Sequence, residues 1–235
     1  MSETSWENAC REVAEEEAKK DALLQWGMEA GETPPFAYRW EHVQQVVAHA
    51  RWLLTQVEAD ADVLIAAAWL HDVRKRKSNH AKKGAKFAKK FLKTTDFPAN
   101  KIEAVAEVIA QHEGLYRPAD DWSEASGEPF RPAPPMGPIE VGLLWDADKL
   151  TKVGPLALLH YIPFAIAGAM EVDRSLTTEV FYADNERWIN EIGPRIIASF
   201  NTEVAQRRAT RMQAIYEEFQ MGLAKAIDLS EEFPA

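Results

Sequence analysis

The chain has 235 residues, 46% of them apolar and 27% charged, the composition of an ordinary globular protein long enough to bury a substantial core. A formal charge of −10 argues against broad nucleic-acid binding, and a single cysteine, Cys10, rules out an intramolecular disulfide and fits a reducing compartment. No apolar run approaches the ~20 residues of a membrane span, and the acidic start Met1-Ser2-Glu3-Thr4 is unlike a signal peptide, so a cytoplasmic protein without membrane contact is expected.

Residues 2–26 read as a helix with Val13, Leu23, Leu24 and Trp26 on its apolar side, ended by Gly31-Glu32-Thr33-Pro34-Pro35. A second helix spans about 40–57, where Val43, Val46, Val47, Ala50, Leu53 and Leu54 recur at helical spacing. The third starts near Asp60. Its run Val63-Leu64-Ile65-Ala66-Ala67-Ala68-Trp69-Leu70 has no breaker and reads as a buried helix that ends in His71-Asp72.

A basic helix follows over about 80–93, with Ser78 or Asn79 placed to cap it and Gly84, Phe87, Ala88 and Phe91 on its inner face. Pro98 opens a fifth helix striped by Ile102, Val105 and Ile109. Residues 115–138 hold six prolines, too many for a helix or inner strand, and are expected to form a flap near the functional site. Helices resume over 139–153 and 156–172. Residues 178–204 and 207–227 read as two long C-terminal helices, the first open to a kink at Pro194. Strand alternation, internal repeats and zinc-finger spacing are all absent from the sequence. The expectation is all-α: a single helical-bundle domain over 1–235, with a core at about 36–155 and C-terminal helices at about 156–230 packed on it.

Imidazole and carboxylate are the usual ligands of a divalent ion, so the placement of His and Asp carries the functional reading. Neighbours on a helix point roughly 100° apart. His71 and Asp72 can therefore share an ion only near a helix end. His42 shares a stripe with Val46, His49 and Leu53, His80 with Gly84 and Phe87, and His112 continues Ile102, Val105 and Ile109. Any one of these is plausible as an ordinary core histidine. Several on successive helices, with Asp72 among them, point to a shared polar centre. Seven residues of helix separate His42 from His49 by ~10 Å, so the two cannot bind one ion. A further carboxylate would come from Asp146 or Asp148, between which the helical wheel does not choose.

In their order, Arg39-Trp40-Glu41-His42, then His71-Asp72, then Asp146-Ala147-Asp148-Lys149-Leu150 resemble the HD superfamily of metal-dependent phosphohydrolases. There His, His-Asp and Asp come from separate helices. His80 in His80-Ala81-Lys82-Lys83-Gly84-Ala85 and His112 in Ile109-Ala110-Gln111-His112 resemble extra histidines of one branch: small, single-domain bacterial HD hydrolases, nucleotide pyrophosphatases among them. The resemblance implies His42, His71, Asp72 and Asp148 as ligands of a divalent ion (Mn, Fe, Ni, Co, Mg or Zn). Asp148 is preferred to Asp146 for its Ala147-Asp148-Lys149-Leu150 context. It also implies that His80 and His112 line a phosphate pocket or hold a second metal, and that Lys75 stands where several branches carry a lysine. Arg74 departs from the small residue often found between them.

The activity so implied is hydrolysis of a phosphate ester or anhydride of a small phosphorylated substrate, a nucleotide first of all. Asp72 would orient or deprotonate a water, His80 or His112 would contact phosphate or donate a proton, and Lys75 would contact phosphate. The segment 74–93 holds ten Lys or Arg and no acid. Most of it reads as a solvated face, while its start would draw polyanions toward the centre. Two alternatives stand beside this reading: a non-catalytic regulatory module binding metal or nucleotide, and a di-iron HD-fold oxygenase using His80 and His112 as ligands. Exposed apolar faces on the C-terminal helices could pair copies of the chain into an oligomer.

Overall fold

A computed structural model describes residues 5–117, 136–172 and 175–227. Among them there is no strand, and the fold is all-α, as the periodicities predict. The expected flap lies largely outside the described residues.

The third helix, α3 (Ala61–Leu70), is apolar all round and buried at every position from Val63 to Leu70, so its neighbours pack against it from several sides. Asp60 caps it, its carboxylate accepting from the Val63 N–H at 3.2 Å. Around it lie α1 (Ser5–Gln25), α2 (Tyr38–Leu54), α5 (Ile102–Ala110) and α6 (Ile139–Leu150). Within α1 the buried stripe differs from the expected one. Leu23 is buried as expected, but the rest of the stripe is Trp6, Glu7 and the small residues Cys10, Ala14, Ala18 and Ala22, whereas Leu24 is exposed. Small side chains let α1 lie close to its neighbours. The buried Glu7 carboxylate then ties it down, accepting from Trp69 Nε1 at 3.0 Å and pairing with Arg51.

The basic helix is α4 (His80–Leu92), which packs on α5. Asn79 takes the cap position in a left-handed conformation (φ 53°) but makes no capping bond, and Ser78 Oγ accepts instead from Lys83 Nζ. Gly84 sits where α4 meets the end of α3. A Cβ there would lie 3.2 Å from the His71 carbonyl oxygen. The missing side chain is what lets the basic helix reach the His71-Asp72 turn.

The C-terminal region departs from two unbroken helices. After α7 (Pro155–Glu171) come α8 (Thr178–Arg187), a π-helical turn (Trp188–Ile192), α9 (Gly193–Ala198) and, after a break, α10 (Glu203–Ile227). Pro194 has no N–H to continue the helical ladder and its ring crowds the preceding turn, which accounts for the widened turn before it. The break at 199–202 has a tertiary cause. Asp146 accepts the N–H groups of Asn201 (2.7 Å) and Thr202 (2.9 Å), drawing them out of any continuing helix, and Thr202 Oγ1 then caps α10. No single described helix is long and apolar enough to cross a membrane.

Candidate metal centre

His71 and Asp72 stand in the turn just past α3, where consecutive side chains can converge. His42 comes from the first turns of α2, Asp148 from the last turn of α6, His80 from the start of α4 and His112 from just past α5. The seven residues singled out in the sequence, Lys75 included, are thus brought to one place.

The hydrogen bonds fix which ring nitrogens carry protons. His71 Nδ1 lies 2.8 Å from the Ala68 carbonyl, which only accepts, so Nδ1 is the donor and Nε2 is bare. Thr151 Oγ1 donates to the Asp148 carbonyl (2.7 Å) and so accepts from His42 Nδ1 at 3.1 Å, leaving His42 Nε2 bare as well. These two bare nitrogens face each other at 3.3 Å. Asp72 Oδ2 lies 3.6 Å from each, and Asp148 Oδ1 3.3 Å from His42 Nε2.

Burial keeps the imidazoles neutral. Desolvation pushes His42 well below its ordinary value and His71 down to about 4. Burial alone would raise both aspartates. The Arg39 guanidinium at 2.5 Å, with Lys75, outweighs it at Asp72, and Lys149 with Lys152 outweighs it at Asp148, so both carboxylates are held well below the usual range. Lone pairs from His42, His71 and Asp72 therefore converge with no proton among them, an arrangement that a divalent cation satisfies, and Asp148 adjoins them through His42. His42, His71 and Asp72 offer donor atoms all within 4.8 Å of one another.

Asp72 also faces a second cluster. Its Oδ1 lies 3.3 Å from His112 Nε2 and 3.7 Å from His80 Nε2, and the three residues again offer atoms within 4.8 Å. Here a cation of the protein already stands among the donors: Lys75 Nζ is 3.2 Å from His80 Nε2 and 3.3 Å from Asp72 Oδ1. Glu113 Oε1 lies 3.3 Å from His80 Nδ1, on the far side of that ring.

Residues 39–152 match the family model of the HD domain. These residues form an HD domain. No curated protein matches its sequence. Among the solved structures that share the fold are Bacillus subtilis YpgQ in complex with ADP (TM-score 0.58, 17% identity, covering 93% of this chain and 100% of that one), a Lactobacillus plantarum protein (0.56, 20%, 98% and 100%) and a predicted HD superfamily hydrolase from an uncultured Thermotogales bacterium (0.53, 20%, 92% and 91%).

Several residues of this HD domain have parts around the centre that the sequence does not show. Arg39 is one helical turn before His42, and its charge is spent on Asp72 and on Asp21 at 3.7 Å. Thr151 fixes the His42 tautomer. Lys149, buried beside Asp148 at 2.5 Å, also reaches the His112 carbonyl at 3.5 Å. Asp146 is turned away from the centre and holds the 199–202 break. His49 is buried elsewhere, its Nε2 without a hydrogen-bond partner.

Proposed function

We propose that this HD domain holds a divalent ion between His42, His71, Asp72 and Asp148 and hydrolyses a phosphate ester or anhydride of a small phosphorylated molecule, a nucleotide first of all. The supporting observation is the convergence of bare lone pairs just described: two imidazole nitrogens at 3.3 Å with ionised carboxylates beside them. Neutral imidazole with carboxylate suits Mn, Fe, Co, Ni or Zn, and to a lesser degree Mg. The crystallisation of the YpgQ structure with ADP supports a nucleotide as the kind of substrate.

An ion bound there would supply a water of lowered pKa and a polarised phosphoryl oxygen. The chain's own groups do the rest. Arg39 keeps Asp72 ionised and fixed through Oδ2, so Oδ1 can accept a hydrogen bond from an attacking water and orient it. Lys75 opens onto a cleft of about 380 Å³ that Arg39 and Asp72 also line, which places an ammonium where phosphate oxygens would enter. His112 keeps its Nδ1 proton on the Ile109 carbonyl at 2.6 Å, so its Nε2 is the end available to a substrate or a proton. Arg74, Lys75, Arg76 and Lys77 line this cleft in a chain of net charge −10 and would steer anions to it.

The test is release of phosphate or pyrophosphate from a nucleotide panel with Mn, Ni, Co and Mg. Turnover should depend on the metal and fall at least a hundredfold in His71→Ala and Asp72→Ala. Wild-type rates in those variants would overturn the proposal. Saturable nucleotide binding with no product under any metal would favour a regulatory module instead.

A further inference from the structure

Tyr38 and Thr151, both in contact with His42, line a cavity of about 550 Å³. That is the size of a small-molecule site, which falls in the range ~300–1,000 Å³. It adjoins the metal centre directly. The ring of Tyr38, in its wall, stacks on His42 (5.9 Å between centroids, 14° between planes), and Thr151, which accepts the His42 proton, lines it too.

Its walls are rich in aromatic rings. His160 and Phe164 of α7 meet Tyr38 at 5.4 Å and 5.9 Å, and Trp188 and Tyr216 come from the C-terminal helices. Trp188 opens the π-helical turn, and its Nε1 donates to the Lys152 carbonyl at 2.9 Å, which fixes the indole against the end of α6. Phe164 is 54% exposed, an apolar ring left at the cavity with much of its surface in water.

Thr151, Lys152, His160, Asp184, Asn185 and Arg187 are among its polar lining. Lys152 Nζ donates to Tyr38 OH at 2.5 Å, and its charge acts on both His42 and Asp148, so it stands where cavity and metal centre join. His160 Nδ1 is buried and has no hydrogen-bond partner. A hydrocarbon tail would leave that nitrogen unsatisfied. A planar heteroaromatic ring offers π-faces to the aromatic walls and hydrogen-bonding edges to the imidazole.

We propose that this cavity takes the nucleobase of the substrate, with Lys152 facing the phosphate nearest the sugar and Phe164 closing over the base. The inference rests on the reading of the metal centre as a phosphohydrolase site and names the non-phosphate part of what that site takes.

The experiment is calorimetric titration of the manganese-loaded protein with a non-hydrolysable nucleoside triphosphate, with inorganic tripolyphosphate and with farnesyl diphosphate. The nucleotide should bind at least tenfold more tightly than tripolyphosphate. Phe164→Ala should lose about tenfold in nucleotide affinity, the scale of one lost stacking partner, with tripolyphosphate affinity unchanged. Phe164→Tyr should restore nucleotide binding, and thermal melting checks that both variants fold. Equal binding of nucleotide and tripolyphosphate, no effect of Phe164→Ala, equal loss for both ligands, or preference for the isoprenoid would each overturn the inference. Product release is scored separately. Nucleotide binding sensitive to Phe164 but without turnover keeps the base site and removes the hydrolase reading, whereas turnover of tripolyphosphate with no nucleotide preference does the reverse.

Discussion

The Nε2 atoms of His42 and His71 lie 3.3 Å apart, and both rings have committed their only proton to the opposite nitrogen. Facing lone pairs in a buried site repel unless a cation stands between them. Saturating Mn should therefore raise the melting temperature, by the equivalent of about 3 kcal/mol at a hundred times the dissociation constant. His71→Ala should abolish the rise. Equal stabilisation of the variant by Mn would place the ion elsewhere.

Asp146 and Asp148 are two residues apart and do different work. Asp148 Oδ1 lies 3.3 Å from His42 Nε2, whereas Asp146 accepts from Asn201 and Thr202 at 2.7–3.1 Å. Asp148→Asn should lose metal. Asp146→Asn should keep it and lose about 1–3 kcal/mol of stability, seen as a drop of several degrees in melting temperature. The reverse pattern would exchange the two roles.

Gly84→Ala sets two effects against each other. Helix propensity favours alanine by about 1 kcal/mol. The new methyl would sit 3.2 Å from the His71 carbonyl and 3.4 Å from Ile109 Cγ2, and overpacking of this kind costs about 1–3 kcal/mol. The expected outcome is a small loss of stability with a larger loss of metal affinity, because the carbonyl that must give way belongs to the metal-binding turn. Unchanged affinity by metal titration would show that the turn is not so constrained.

Lys75 Nζ occupies the corner between Asp72 Oδ1 and His80 Nε2 that a second cation would take. In Lys75→Met that corner loses its ammonium, and the protein should bind a second equivalent of metal through Asp72, His80 and His112. Unaltered stoichiometry would mean that these donors do not form a second site.

Buried histidines make the fold acid-sensitive. Burial, with Arg208 adding to it, pushes His49 down to about 4 from an ordinary 6.5, so the folded state keeps it neutral while the unfolded chain protonates it first. Between those values the unfolded state binds more protons, and stability is lost as pH falls. At pH 5 the loss from this one residue is about 2 kcal/mol. His49→Leu should flatten the decline in melting temperature between pH 6.5 and 5. An unchanged slope would contradict the assignment.

The helices around α3 and the order His42, His71-Asp72, Asp148 were legible because apolar periodicity and ligand-type residues both survive as linear patterns. What the sequence hid depends on tertiary contact. Arg39 looks like any surface arginine until Asp72 is found beside it, and Thr151 like any residue at a helix end. Alanines carry too little hydrophobicity to mark α1's buried stripe. The break at 199–202 is made by Asp146, more than fifty residues earlier in the chain. No local rule would find it.

The most direct test is elemental analysis of protein purified without chelator, beside His42→Ala, His71→Ala, Asp72→Ala and Asp148→Ala. About one divalent ion per chain is expected in the wild type, with loss of most of it in each variant. A metal-free wild type that takes up no ion on titration, or four variants that retain the full complement, would contradict the claim that these residues bind a common cation.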